Sequence, residues 1–152
     1  MDPASAAAPK DLFDAARAAA GRAHAPYSRY AVGAALRDGE GRIHAGCNVE
    51  NAAYPQGTCA EAGAIAAMVL AGGRRIAEAL VYGEGGGLTT PCGGCRQKLR
   101  EFGRPDLRIH VADSGGVKAT FTLAELLPHA FGPDNVAAES PRSEGRKEWK
   151  RT

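Results

Sequence analysis

Apolar and small residues recur at helical spacing over 11–24, where Leu12, Phe13, Ala16 and Ala20 share a face, and Ala25-Pro26 ends the run. Residues 30–36 then read as a strand. Asp38-Gly39-Glu40-Gly41 is a hairpin turn signal, and 42–49 is the partner strand. An irregular loop covers 50–57. Thr58 stands where an N-cap would open an Ala-rich helix that runs to Leu70 and stops at Gly72-Gly73. Residues 76–82 are almost continuously apolar, the pattern of a strand buried on both faces. A glycine-rich loop follows at 83–87. The next helix starts at Pro91, since proline suits the first helical position, and ends near Phe102-Gly103. Residues 107–111 and 117–121 read as strands around a Ser114-Gly115-Gly116 turn, and 123–127 as a short closing helix. A helix and a hairpin followed by strand–helix alternation predict an α/β domain whose mixed sheet is covered by helices.

Composition adds boundaries. The 152 residues are 44% hydrophobic and 24% charged, ordinary for one globular domain and unlike a disordered or collagenous chain. Residues 1–8 are small and Ala-rich and are expected to be disordered. The domain itself is expected over 9–133. The polar stretch at 134–152 reads as a disordered tail. Net charge is +2, and the tail holds the basic excess: from Ser140 onward Arg142, Arg146, Lys147, Lys150 and Arg151 face only Glu144 and Glu148. The body is therefore near neutral and offers no electrostatic footprint for a nucleic acid. No apolar run approaches the ~20 residues of a membrane helix, and the N-terminus lacks the basic-then-apolar pattern of a secretory signal. Four cysteines in such a chain point to a reduced, cytoplasmic setting and to metal binding or free thiols, not to a disulfide framework.

Two expected helix starts carry the chemistry, Thr58-Cys59-Ala60-Glu61 and Pro91-Cys92-Gly93-Gly94-Cys95. Cys92 and Cys95 are three residues apart, so both sulfurs face one side of a first turn. Free amides and the helix dipole there favour thiolate. If Cys59 converges on them, three thiolates leave a fourth tetrahedral position open, the arrangement of a catalytic zinc. Glu61 beside a zinc-bound water could accept and relay its proton. Other readings fit the same residues. Thr58 and Glu61 have the spacing of a capping box. Cys92 and Cys95 alone fit a redox pair. With Cys47 as a fourth ligand the site would be a closed structural one. Otherwise Cys47 and His44 are simply buried strand residues.

Several runs in order bring a family into view. They are Ala25-Pro26-Tyr27-Ser28 with Tyr30 and Val32-Gly33-Ala34-Ala35-Leu36, then Gly46-Cys47-Asn48-Val49-Glu50-Asn51 with Tyr54-Pro55. Cys59-Ala60-Glu61, Pro91-Cys92 with Cys95-Arg96-Gln97, Glu125-Leu126-Leu127-Pro128 and Phe131-Gly132-Pro133 complete the series. Together they resemble the small, homotetrameric, zinc-dependent cytidine deaminases. That resemblance implies a three-layer α/β/α fold with a mixed five-stranded sheet, and one Zn2+ per subunit held by Cys59, Cys92 and Cys95. This is the all-cysteine form of the zinc-deaminase signature, with Glu61 as the proton-shuttling glutamate. It also implies that Tyr30, Asn48, Glu50, Ala60, Tyr54 and Phe131 bind substrate. Asn48 and Glu50 would hold the ribose 3′-hydroxyl, Tyr30 stands where phenylalanine usually packs on the pyrimidine, and Tyr54 and Phe131 would reach a neighbouring subunit's site. The activity implied is conversion of cytidine and deoxycytidine to uridine and deoxyuridine in pyrimidine salvage, by zinc-bound hydroxide attack at C4.

The chain departs from that family in one place that bears on charge. An arginine usually follows the Cys-Ala-Glu triplet and offsets the negative charge of the thiolates; here Ala62 and Gly63 follow. Arg96, next to Cys95, is the candidate replacement, and Gly63 would permit close helix packing between subunits. Deaminases of antibiotic nucleosides of the blasticidin S type also lack that arginine, which keeps a modified cytosine nucleoside open as a substrate. A structural zinc module that binds a partner through the basic tail is the reading from a different class.

Overall fold

The computed structural model describes residues 9–136. The expectations of disorder over 1–8 and 137–152 lie outside the described residues. Within 134–152, positions 134 and 135 belong to a 3-10 turn, Pro133–Asn135, and Asp134 accepts from Arg100 at 2.8 Å.

The helix α1 spans Lys10–Ala20 and buries Leu12, Ala16 and Ala20. It stops four residues short of the expected end, and Arg22 and Ala23 continue only as turns onto Ala19 and Ala20. The hairpin strands β1 (Val32–Asp38) and β2 (Ile43–Cys47) pair antiparallel, with Gly33 opposite Cys47 and Leu36 opposite His44. Gly41 takes the left-handed φ of 87° that the turn needs, a conformation glycine adopts without strain. Helix α2 (Ala60–Leu70) leads to β3 (Ile76–Gly83), which pairs antiparallel with β1. Helix α3 (Gly93–Phe102) crosses to β4 (Arg108–Asp113), parallel to β3. Strand β5 (Gly116–Thr122) returns antiparallel at the far edge, followed by the short α4 (Leu123–Leu126). The spatial order is β2-β1-β3-β4-β5, the mixed five-stranded sheet expected.

Side chains alternate between two cores, as a pleated strand requires. Ala35, Leu80, Tyr82 and Ala112 pack under α1. Ala34, Leu36, Ala79 and Ile109 face α2 and α3 through Ala60, Ala64, Ile65, Met68 and Leu99. The layers are therefore helix, sheet and helices. Helices α1 and α2 each lie against the sheet at a glycine. A Cβ on Gly33 would sit 1.9 Å from the Ala16 carbonyl oxygen, and one on Gly46 would sit 2.3 Å from the Ala64 nitrogen. Gly63 closes the same contact from the helix side, against Gly46 and Cys47. This is a packing contact within the chain.

Candidate active site

The chain beyond β2 builds the floor of the site. Val49 exchanges both backbone hydrogen bonds with Thr58, at 2.8 and 2.9 Å. On its other side the segment meets His24: the His24 amide donates to the Asn48 carbonyl and the Glu50 amide to the His24 carbonyl. Three extended pieces thus lie side by side and bring Asn48 and Glu50 next to the start of α2.

That pairing also decides where α2 begins. The Thr58 amide is committed to Val49, so the N-cap is Cys59, in extended conformation and with no side-chain cap bond. The capping box that the spacing of Thr58 and Glu61 allowed does not form. Glu61 is buried, only 4% exposed, and its carboxylate accepts from the Cys95 thiol at 3.3 Å. Likewise α3 starts at Gly93 with Cys92 as N-cap, two residues after the expected start, because Pro91 is fully buried in the approach to the helix.

The two helix starts meet. The sulfurs of Cys59, Cys92 and Cys95 all lie within 4.8 Å of one another, and those of Cys59 and Cys92 are 3.9 Å apart. A tetrahedral metal with thiolate bonds of about 2.3 Å sets its sulfurs about 3.8 Å apart, so the spacing suits zinc. Cys47, half-buried on β2, is not part of this cluster. A Cys47→Ala variant is therefore expected to retain zinc at wild-type stoichiometry by metal analysis; loss of zinc would mean a four-thiolate site.

Charge explains why the cluster needs a cation. Burial, and then the negative charges of Glu61 and Cys59, push the Cys95 thiol far above its ordinary 9.0. Burial likewise raises Cys59, with Cys92 and Glu61 adding to the effect. For Cys92 burial is again the largest influence and pushes upward, but the Cys95 amide and the neighbouring thiols outweigh it and hold the group low. Three sulfurs and a carboxylate in one place repel one another unless a divalent ion binds them.

The remaining expected residues divide into two groups. Asn48, Glu50 and Tyr30 share one neighbourhood. The Asn48 amide donates to the Tyr30 carbonyl and accepts from the Val32 amide, each at 2.8 Å. Glu50 accepts from the amides of Tyr27 and Ser28 at 3.2 Å. Burial pushes Glu50 upward, but these amides and the Ser28 hydroxyl outweigh it and hold the carboxyl below its ordinary range. Ala60 is buried as the first residue of α2. Tyr54 and Phe131 stand out from the surface, 75% and 63% exposed; Tyr54 packs edge-on against Tyr27. Cys59 and Cys92 are exposed as well, so the site is open in a single chain.

One partner escaped the sequence reading. The Tyr30 hydroxyl lies 2.5 Å from Thr89 Oγ1. No sequence signal links these two residues across a spacing of 59 positions. Arg96 also differs from expectation. Its guanidinium contacts are with the oxygens of Pro91, Leu126 and Thr90, not with the thiols.

A layered α/β fold with three cysteine sulfurs and a carboxylate gathered at two helix ends has the make-up of a zinc-dependent hydrolytic enzyme. Residues 7–111 match the family model for the cytidine and deoxycytidylate deaminase zinc-binding region. The chain is 46% identical to a cytidine deaminase of Mycobacterium tuberculosis over 127 residues, covering 83% of this chain and 90% of that one. It is 37% identical to a cytidine deaminase of Sporosarcina psychrophila, covering 76% and 85%. Among solved structures, the cytidine deaminase from Burkholderia pseudomallei superposes with a TM-score of 0.74 at 43% identity, covering 80% of this chain and 97% of that one. The chain belongs to the cytidine and deoxycytidylate deaminase family.

Proposed function

We propose that the protein hydrolyses cytidine and deoxycytidine to uridine and deoxyuridine, releasing ammonia, in pyrimidine salvage. The observation that carries this reading is a buried carboxylate, Glu61, in contact with the three-thiolate cluster. Cys59, Cys92 and Cys95 would hold one zinc per subunit. When bound, zinc supplies the Lewis acidity that makes water a nucleophile near neutral pH.

The protein's own groups do the rest. Glu61 takes a proton from the attacking water and delivers it to ring N3, so that oxygen adds at C4. It then takes the second proton, from the hydroxyl now on C4, and passes it to the amino group, so that ammonia leaves as the C4 carbonyl forms. A carboxylate is suited to this because it can accept and return a proton without leaving its place. Asn48 and Glu50 form the sugar subsite. Their backbone bonds hold both side chains in fixed positions, and Glu50, kept ionised, retains acceptor capacity for a ribose hydroxyl. Tyr30 packs on the base. The exposure of Tyr54 and Phe131 beside an open site supports a homotetramer in which these rings complete a neighbour's site. Four free thiols suit the reducing cytoplasm, and among the described residues no helix is long and apolar enough to cross a membrane.

The test is the loss of cytidine absorbance on addition of the protein, with metal analysis alongside. Turnover of cytidine and deoxycytidine is expected, abolished by a chelator and restored by zinc. A protein loaded with zinc that leaves both nucleosides unchanged would exclude this function, and side-by-side assay of blasticidin S then tests the antibiotic substrate.

A further inference from the structure

Among the described residues, every side-chain hydrogen bond of Arg96 ends on an uncharged oxygen, two of them on the approach to Cys92 and one at the end of α4. Its Nε donates to the Pro91 carbonyl at 2.7 Å, one terminal nitrogen to the Leu126 carbonyl at 2.8 Å, and the other to Thr90 Oγ1 at 3.2 Å. Its backbone amide donates to the Cys92 carbonyl at 2.9 Å. The Arg96 side chain therefore grips the carbonyl of residue 91, just ahead of the Cys92 Cα, while its backbone amide makes the ordinary first-turn bond of α3.

That grip falls at the junction between the buried Pro91 and the first turn of α3. Cys92 is an exposed N-cap in extended conformation, outside the helix proper and without a side-chain cap bond. The separation of its sulfur from that of Cys59, 3.9 Å, depends on how the peptide before it is turned. Thr89, two residues ahead of Pro91, is tied to Tyr30, and the Leu126 contact fastens the same point to the end of α4. The next residues of α3 extend the attachment: Gln97 donates to the Phe131 carbonyl at 2.9 Å and Arg100 to Asp134 at 2.8 Å.

We propose that Arg96 is a positioning residue for the metal centre, acting as a three-pronged brace that sets the Cys92 sulfur against those of Cys59 and Cys95. This rests on the zinc reading of the cluster. It assigns the function to the shape of the guanidinium, not to its positive charge as a substitute for the cation missing at Ala62. A planar fork can serve three separate acceptors; a lysine ammonium carries the same charge but lacks that geometry.

Charge and shape are separated by comparing Arg96→Lys and Arg96→Ala with wild type in the full chain. The readouts are the rate of zinc release to a chromogenic chelator, the thiolate-to-cobalt absorption of the cobalt-substituted protein, and kcat and KM at saturating zinc. Both variants are expected to lose zinc roughly 10–100-fold more readily, the range seen when groups that orient metal ligands are removed. Both should show a shifted cobalt spectrum and a fall in kcat larger than the change in KM. Methylguanidinium should partly restore zinc retention to Arg96→Ala. Wild-type zinc retention and spectrum in Arg96→Lys would overturn the proposal in favour of charge, and the same result in Arg96→Ala would remove any role. If Arg96→Ala does not fold, Thr90→Val decides, because it deletes one of the three acceptors while keeping the side-chain shape; unchanged zinc release and cobalt spectrum there would also overturn the brace. A wild-type chain that takes up no zinc would instead sink the metal reading itself.

Discussion

Glu61→Gln is expected to keep zinc and lose turnover by roughly 10²–10⁴-fold, the usual contribution of a positioned proton-transfer group. Glutamine has the size of glutamate and can still hydrogen-bond at this site, but it cannot take a proton from water near neutral pH. The metal ligands are untouched, because the cluster consists of three sulfurs and Glu61 only contacts one of them. Folding should also survive. The buried carboxylate lies among groups that its charge pushes toward the neutral form, so removing that charge relieves repulsion. Metal analysis, a thermal melt and the cytidine absorbance assay on one preparation separate these effects. Normal turnover in a zinc-loaded Glu61→Gln protein would remove the residue from the mechanism, and loss of zinc would make it a ligand.

The second large effect lies away from the chemistry. A single methyl group at Gly46 would meet the Ala64 nitrogen at 2.3 Å, the Ala60 oxygen at 2.5 Å and the Gly63 carbonyl carbon at 2.7 Å. All three are backbone atoms and cannot rotate aside, so β2 and α2 must separate. Overpacking of this kind is expected to cost at least the usual 1–3 kcal/mol and to lower Tm by roughly 3–12 °C. Activity should fall as well, since the start of α2 carries both Cys59 and Glu61. Gly86→Ala, where an added Cβ meets nothing within 4 Å, is the control expected to leave Tm and turnover unchanged. A Gly46→Ala protein that melts and turns over like wild type would mean that α2 does not lie this close to β2.

Periodicity and punctuation made most elements legible, with all five strands and four α-helices anticipated in order. The ends shifted where a local signal met a tertiary demand. Thr58 has the side chain of a cap, but its β-branched residue type also suits extended pairing, and the bonds to Val49 prevailed. The same competition dissolved the capping box and left the Glu61 carboxylate to face Cys95. Pro91 marked the next helix, yet burial of its ring kept it ahead of the first turn.

By itself, the order of residues determined the α/β class, the two helices that carry the chemistry, and Cys92 and Cys95 as a spaced pair, with Cys47, Cys59 and Glu61 as candidates beside them. Those are local properties, since periodicity, turn chemistry and metal-ligand spacing act within a few residues of chain. Only the tertiary structure decided that Cys59 and Cys92, 33 positions apart, bring their sulfurs to 3.9 Å, that Cys47 stays out, that Tyr30 reaches Thr89, and that Arg96 holds backbone oxygens. Such contacts are set by how closely helix and strand backbones approach at Gly33 and Gly46 and by which buried polar groups must find partners, and both depend on parts of the chain that no local window contains.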